Sequence, residues 1–260
     1  MISAPESSYI FFGIKYYSVF MMFAILSGSY VSYYFAKKYF KNNTDTNILL
    51  DILPITILSG ILGARIYYVI ANFSYFSQNL NEIIKIQNGG ISIHGAILGG
   101  FLGAFLFCKI KKIKILPYAD TISFGLILAQ AIGRFGNYFN QEAFGKPYNG
   151  FLKMYINKEH RPLDFIEFEY FHPTFLYEII LNLIIFLILY IFLRNRKKEK
   201  NGSIFFLYLI LYSIARFIIE SVRIDSVLYI SNMPIAQIAS IVLLLIGIIG
   251  LSIIYKDDAF

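Results

Sequence analysis

Residues 235–255 read IAQIASIVLLLIGIIGLSIIY, an uninterrupted run with no charged side chain. At 1.5 Å per residue a helix of that length spans roughly 30 Å, the thickness of a bilayer's hydrocarbon core. A soluble amphipathic helix would carry a polar stripe, and Gln237, Ser240 and Ser252 do not make one. Six further stretches approach the same standard: Tyr16–Ala36, Leu50–Asn72, Ile93–Cys108, Tyr118–Asn137, Phe175–Leu193 and Ile204–Ser221. The third is short and glycines interrupt the fourth. The fold expected is an all-α integral membrane protein of seven transmembrane helices.

The whole chain agrees with that segment. Of 260 residues, 57% are apolar and only 15% are charged, and the mean hydropathy is +0.62, whereas a soluble domain is near a quarter charged. The formal charge of +7 is not a nucleic-acid footprint. Its Lys and Arg gather in short stretches beside apolar spans, at Lys37–Lys41, Lys109–Lys114, Arg194–Lys200 and Lys256. Those clusters follow spans one, three, five and seven. Under the positive-inside rule this alternation predicts an N-terminus outside and a C-terminus in the cytoplasm. The N-terminus carries Glu6 rather than a basic cluster and does not read as a cleavable signal. The single cysteine, Cys108, excludes an intramolecular disulfide and reads as a buried packing thiol.

The chain 1–260 reads as a single membrane domain, with 73–92 as an outer arm or loop and 139–174 as an extracytoplasmic cap. Gly95, Gly99 and Gly103 recur every fourth position in span three, as do Gly125, Ala129 and Gly133 in span four. Small residues at that spacing let helix backbones approach closely in lipid, which predicts that spans three and four pack together.

Charged groups within spans are costly, so each is a functional candidate. Asp120 and Glu178 lie near span ends, where each is either a functional group or one that simply snorkels or caps a helix. Arg65, Arg134, Arg216 and Glu220 sit deeper. Counted at 1.5 Å per residue from the inner ends of their spans, they lie roughly 18 to 24 Å across. His94 and Tyr17 begin spans that run the opposite way. All six therefore fall at outer-leaflet level. Tyr212, Arg216 and Glu220 form one helical stripe at i, i+4 and i+8, and Arg134 shares a face with Asn137. An Arg–Glu pair at that spacing is either part of a site or an intramembrane ion pair that only holds helices. Arginines at headgroup level point to a phosphate, which the guanidinium fork binds in a bidentate way. His94, in a glycine-rich entry to span three, is either a structural histidine or a group that takes a proton at neutral pH.

Three motifs then carry a resemblance. GRFGNYFNQEAFG (133–145) resembles the signature of prolipoprotein diacylglyceryl transferases, with Tyr138 where Phe is usual. NGGISIHG (88–95) and HPTFLYE (172–178) are similar to two further family segments, as are Tyr212, Arg216, Phe217, Glu220 and Arg223 to a third, and Gln237 to a last-span glutamine. The match runs in order from about Tyr16 to Ser240. The pattern departs at Lys15-Tyr16-Tyr17-Ser18, at Ser213, at Arg223-Ile224-Asp225 and in a shorter cap.

The resemblance implies transfer of the diacylglyceryl group of phosphatidylglycerol to the lipobox cysteine of a prolipoprotein, at the outer leaflet of the bacterial cytoplasmic (inner) membrane. It implies that Arg134 and Arg216 engage the lipid phosphate, and that His94, Glu142, Asn137, Tyr17, Tyr212 and Glu220 support the reaction. Arg65, Gly95 and Gly133 complete the expected phosphatidylglycerol-binding set. No metal cluster, Walker motif or GxSxG elbow occurs in the sequence, so neither metal nor cofactor is expected. A phospholipid-headgroup hydrolase is the competing reading, and a transporter or a membrane scaffold is more remote.

Overall fold

A computed structural model describes residues 2–4, 9–10, 13–86, 89–196, 200–224, 229–230 and 232–256. Glu6, Asn88, Lys197, Lys198 and Asp225, named above, lie outside the described residues. Seven long helices account for most of the described chain: α1 Tyr16–Tyr39, α2 Thr46–Ala71, α3 Ile93–Ile110, α4 Leu116–Phe139, α5 Thr174–Asn195, α6 Ser203–Glu220 and α7 Ile235–Tyr255. Each lies within a few residues of an apolar stretch read from the sequence. Six of them, all but α4, are long and apolar enough to cross a bilayer. They carry their large apolar side chains outward, Leu58, Leu62, Ile66 and Ile70 on α2 and Leu245, Ile248 and Ile249 on α7 among them. A soluble protein does not leave so much apolar surface uncovered. The chain is a multi-pass membrane protein.

Contacts divide the chain into two compact units, Ala36–Tyr118 and a second formed by Met1–Phe35 with Ala119–Phe260. In the first, α2 and α3 pack antiparallel along a seam of small residues. A side chain at Gly63 would meet the Cα of Gly99 at 2.8 Å, and one at Gly103 would meet the Cβ of Ser59 at 2.6 Å. Asp45 caps α2 by accepting a hydrogen bond from the Asn47 amide at 2.8 Å. The stretch after α2 makes only single helical turns, Phe73–Phe76 and Leu80–Glu82.

In the second unit, α6 lies against both α5 and α7. Gly247 of α7 faces Ile210 and Phe206 of α6 closely enough that a Cβ would sit 2.7 Å from the Ile210 side chain. Gly125 of α4 is set against the backbone of Gly28 on α1. The two glycine stripes of the sequence therefore have partners other than those expected. The stripe of α3 is closed by Gly63 and Ser59 of α2, and Gly125 and Ala129 of α4 by Gly28 of α1. Periodicity marks a close face but carries no information about its partner, and α2 and α1 each present a complementary small residue.

At one end of this unit Asp120, fully buried, accepts from the amides of Gly202 and Phe205 at 2.7 and 2.8 Å. It thereby caps the N-terminus of α6, whose first amides have no partner within their own helix. At the other end, residues 140–173 fold into a small segment of short strands and turns. Strand β1 (Ile2–Ser3) runs parallel to β2 (Met154–Tyr155), and β2 pairs antiparallel with β3 (Tyr170–Phe171). Phe144, Met154, Ile156 and Phe171 form its apolar core and join Phe175 and Ile179 of α5. A second pair of short strands, β4 (Tyr229–Ile230) and β5 (Met233–Pro234), leads into α7.

Candidate active site

The site is assembled at the end of the second unit where residues 140–173 fold. Helix α4 delivers Arg134 and Asn137 in its last two turns, and the chain then enters a tight turn. Gln141 and Ala143 adopt positive φ angles of 51° and 56°, a strained conformation for residues with a Cβ that persists where surroundings over-determine it. Here they do. The buried Gln141 side chain accepts from the Asn157 amide at 2.7 Å, and Thr174 donates to the Ala143 carbonyl. Between those two residues the Glu142 amide is bonded to the Asn137 carbonyl at 3.0 Å. The Glu142 carboxylate accordingly turns back onto α4.

Gly145 closes the turn. A Cβ there would lie 2.9 Å from both His172 and Val222, so only glycine permits the chain to pass. Its amide donates to the His172 carbonyl at 2.9 Å and the Lys146 amide to the Val222 carbonyl at 3.0 Å. This latch fixes the start of α5 and the end of α6 against the turn, and with them the remaining charged groups.

Glu178 stands at the centre, buried at 5% exposure. Its Oε2 pairs with Arg134 Nη2, and its Oε1 lies 3.4 Å from Arg216 Nη1 and 3.2 Å from Arg223 Nη1. Arg216 Nη2 also reaches Glu220 Oε2 at 2.7 Å, as an ion pair outside hydrogen-bond geometry. A second line of contacts leads outward. Arg134 Nη1 donates to Asn137 Oδ1 at 3.1 Å, and Asn137 Nδ2 donates to Glu142 Oε1 at 2.8 Å. Asn140 donates to the same Glu142 oxygen at 3.3 Å. Beyond Glu142 a cavity of about 410 Å³ opens, lined by Lys15, Asn140, Gln141, Glu142, Phe144 and His160 among others.

Among the described residues, three guanidiniums thus converge on the Glu178 and Glu220 carboxylates. All three arginines are partly buried, with side-chain exposures of 22%, 19% and 12% for Arg134, Arg216 and Arg223. Guanidiniums held at fixed positions in a partly buried setting are donors of the kind that pair with phosphate or carboxylate oxygens.

Of the residues expected from the sequence, this unit brings together Arg134, Asn137, Glu142, Arg216 and Glu220. Tyr17 packs its ring on Gly136, where a Cβ would come within 2.8 Å of it. Tyr212 borders Arg216 and Glu178 in a small crevice. Gly133 faces open space, since a Cβ there would meet nothing within 4 Å. The other expected residues belong to the first unit. His94 begins α3, half-buried, with its ring 6.0 Å from that of Tyr67. Gly95 is filled by packing, since a Cβ would fall 2.5 Å from the Tyr67 side chain. Arg65 spends its donors on backbone. Its Nε donates to the Ile83 carbonyl, and its Nη1 to the carbonyls of Gly89 and Gly90, each at 2.8 Å.

Two members of the cluster were not singled out for a role by sequence reasoning: Glu178, weighed as a span-end group, and Arg223. Both stood within the quoted motifs. The available signal was that the carboxylate ending HPTFLYE falls in a first helical turn at the same level as Arg134.

These features define a polytopic membrane protein with a carboxylate-bridged arginine cluster at one end of its helices. Comparison with known proteins narrows the class. The family model described as prolipoprotein diacylglyceryl transferase matches residues 6–253, and the chain belongs to that family. It is similar to the phosphatidylglycerol–prolipoprotein diacylglyceryl transferase of a Nostoc species, 42% identical over 93% of this chain and 86% of the relative. The Thermotoga maritima protein of the same name is 39% identical over 97% and 86%, and that of Staphylococcus aureus strain MW2 is 40% identical over 90% and 83%.

Proposed function

We propose that this chain transfers the diacylglyceryl group of phosphatidylglycerol to the lipobox cysteine of prolipoproteins in the bacterial cytoplasmic membrane. The observation that carries the reading is the convergence of Arg134, Arg216 and Arg223 on Glu178 and Glu220, which sets fixed guanidinium forks where they suit the oxygens of a phosphodiester. The family membership supplies the reaction class, and the relatives' names supply donor and acceptor.

The chemistry is a displacement. The cysteine sulfur attacks the glyceryl carbon that carries the phosphate oxygen, so a C–S bond forms as that C–O bond breaks. The electron pair leaves on the phosphate oxygen of glycerol phosphate. Arg134 and Arg216 stabilise charge as it grows there, and Glu178 and Glu220 hold their guanidiniums in place beforehand. Asn137 couples Arg134 to Glu142, which faces the open cavity. A thiol of ordinary pKa near 8.5 must lose its proton to become the nucleophile. His94 is assigned that proton on the resemblance and on imidazole chemistry. Tyr17 and Tyr212 are assigned supporting roles on the same basis, and Gly133 leaves room for lipid. Arg65, whose donors hold backbone carbonyls, is assigned to organising the arm that follows α2.

The same reading places α4 as the seventh span, since its 24 residues extend about 36 Å. The basic clusters support an N-terminus outside and a cap on the outer face. Cysteines introduced into the cap would react with a membrane-impermeant maleimide in intact cells, against a background in which the native Cys108 is buried.

The deciding experiment follows labelled phosphatidylglycerol and a lipobox peptide with purified enzyme, wild type beside Arg134→Ala and His94→Ala. A thioether-linked peptide made by the wild type alone supports the proposal. Release of diacylglycerol without any peptide would make the chain a headgroup hydrolase instead.

A further inference from the structure

One helical turn from the charged cluster, toward the middle of the helices, a second tier of polar groups repeats its outline. Gln130 lies four residues before Arg134 on α4, Asn182 four after Glu178 on α5, and Tyr212 four before Arg216 on α6. Four residues advance a helix by about 6 Å. Each tier member is therefore stacked beneath a member of the charged cluster, on the same three helices.

The tier is not uniformly satisfied. Gln130 bonds to Tyr208, whose hydroxyl lies 3.1 Å from its Nε2. Asn182 is different. It is buried at 4% exposure and borders a crevice of about 10 Å³ together with Tyr212, Glu178 and Arg216. Among the described residues neither its amide nor the Tyr212 hydroxyl has a side-chain hydrogen bond. The Asn182 amide is not sealed among the fully buried, unpartnered polar atoms but opens onto the crevice, where an acceptor supplied by a ligand would add about 0.5–1.5 kcal/mol. A crevice of that volume admits roughly one water-sized group.

From this we infer that Asn182 and Tyr212 donate hydrogen bonds to an ester carbonyl of the donor lipid and so select a diacyl over a dialkyl glycerol. The inference rests on the transferase reading above, with the phosphate at the arginines. In a glycerophospholipid, five bonds separate the phosphorus from the nearer ester carbonyl carbon, on the order of 6 Å at ordinary bond lengths. That is the spacing of the two tiers. A lipid whose phosphate is held by Arg134 and Arg216 then presents a carbonyl oxygen at the level of the crevice. Asn182 offers an amide N–H and Tyr212 a hydroxyl, both donors, and an ester carbonyl is the matching acceptor. An ether oxygen, the weaker acceptor and displaced by a bond, leaves both donors unmatched.

The test compares phosphatidylglycerol with its 1,2-di-O-alkyl analogue as donor, reading thioether formation on a lipobox peptide as kcat/KM. The wild type is expected to favour the diester by about tenfold, the worth of two modest hydrogen bonds to one carbonyl. In Asn182→Leu, and in the smaller Asn182→Ala should the first not fold, that ratio is expected to fall to about threefold, with Tyr212 still donating. A wild type that uses both lipids equally overturns the inference without any variant. So does a variant in which both rates drop together and the ratio stays, since that marks a merely structural asparagine. If the wild type makes no thioether from the diester, the transferase reading itself fails, an outcome distinct from either of these.

Discussion

Replacing Glu178 by Gln removes the one negative charge that three guanidiniums share. Its Oε1 is 3.4 Å from Arg216 and 3.2 Å from Arg223, and its Oε2 pairs with Arg134. Each such pair is worth about 5 kcal/mol of bare Coulomb attraction at an effective dielectric near 20. Most of that is offset by the desolvation both partners have already undergone, so the useful figure is the loss on orphaning a buried partner, about 3–5 kcal/mol. The arginines keep 12% to 22% of their side-chain surface, which places E178Q at the lower end, near 3 kcal/mol. At about 2–4 °C per kcal/mol for a chain of this size, thermal unfolding in detergent should fall by roughly 6 to 12 °C. The substitution also makes the cluster more positive by one charge. Phosphatidylglycerol should therefore stabilise E178Q more than it stabilises the wild type, whereas uncharged diacylglycerol should treat both alike. An E178Q protein that unfolds within about 0.5 kcal/mol of the wild type, the range of an ordinary surface change, would show that Glu178 does not hold the arginines.

Gly99→Ala drives a methyl against the Gly63 backbone, 2.9 Å from its Cα. It should destabilise by about 1–3 kcal/mol in a denaturation series, while Gly133→Ala, with open space around it, should be neutral or stabilising by up to about 1 kcal/mol. Arg65→Lys replaces a fork by a point charge, so hydrogen exchange at Gly89 and Gly90 should quicken while that of residues 141–145 stays as before. His172 stacks on Tyr148 with ring centroids 3.9 Å apart, and its Nδ1 is 3.1 Å from the Tyr177 hydroxyl. Burial lowers its pKa below the ordinary 6.5. Because the folded state resists protonation there, its contribution is whole above pH 6.5 and is lost as the pH falls through the lowered value. His172→Gln should flatten that part of the acid limb of stability, and an unchanged limb would count against it.

The helices were legible because the bilayer imposes a crude requirement, a long apolar run, and all seven apolar stretches coincide with helices to within a few residues. Helix partners were not legible. The repeats at Gly95, Gly99 and Gly103 announced a close contact, yet any small face on another helix would satisfy it, and α2 supplies that face through Gly63 and Ser59. Depth along a span does not say what a charged group touches. Arg65 met the same depth criterion as Arg134, but the arm that follows α2 turns back and offers it carbonyls.

The site shows where one-dimensional reasoning stops. Arg216 and Glu220 pair at i, i+4, and Arg134 meets Asn137 at i, i+3, so helical geometry alone finds both. Glu178 reaches Arg216 across 38 residues of chain and Arg223 across 45. No period connects groups that far apart. They meet because Gly145 lets the turn after α4 pass between His172 and Val222, latching three helix ends at one level. The same latch has a consequence for specificity. Once the charged groups of α4, α5 and α6 are fixed at one height, the residues one turn further in are fixed too. Gln130, Asn182 and Tyr212 cannot move relative to the arginines without breaking the Glu178 contacts. A lipid gripped by its phosphate is therefore read at a set distance below it, and E178Q should loosen discrimination between diester and diether donors even though Glu178 touches neither carbonyl.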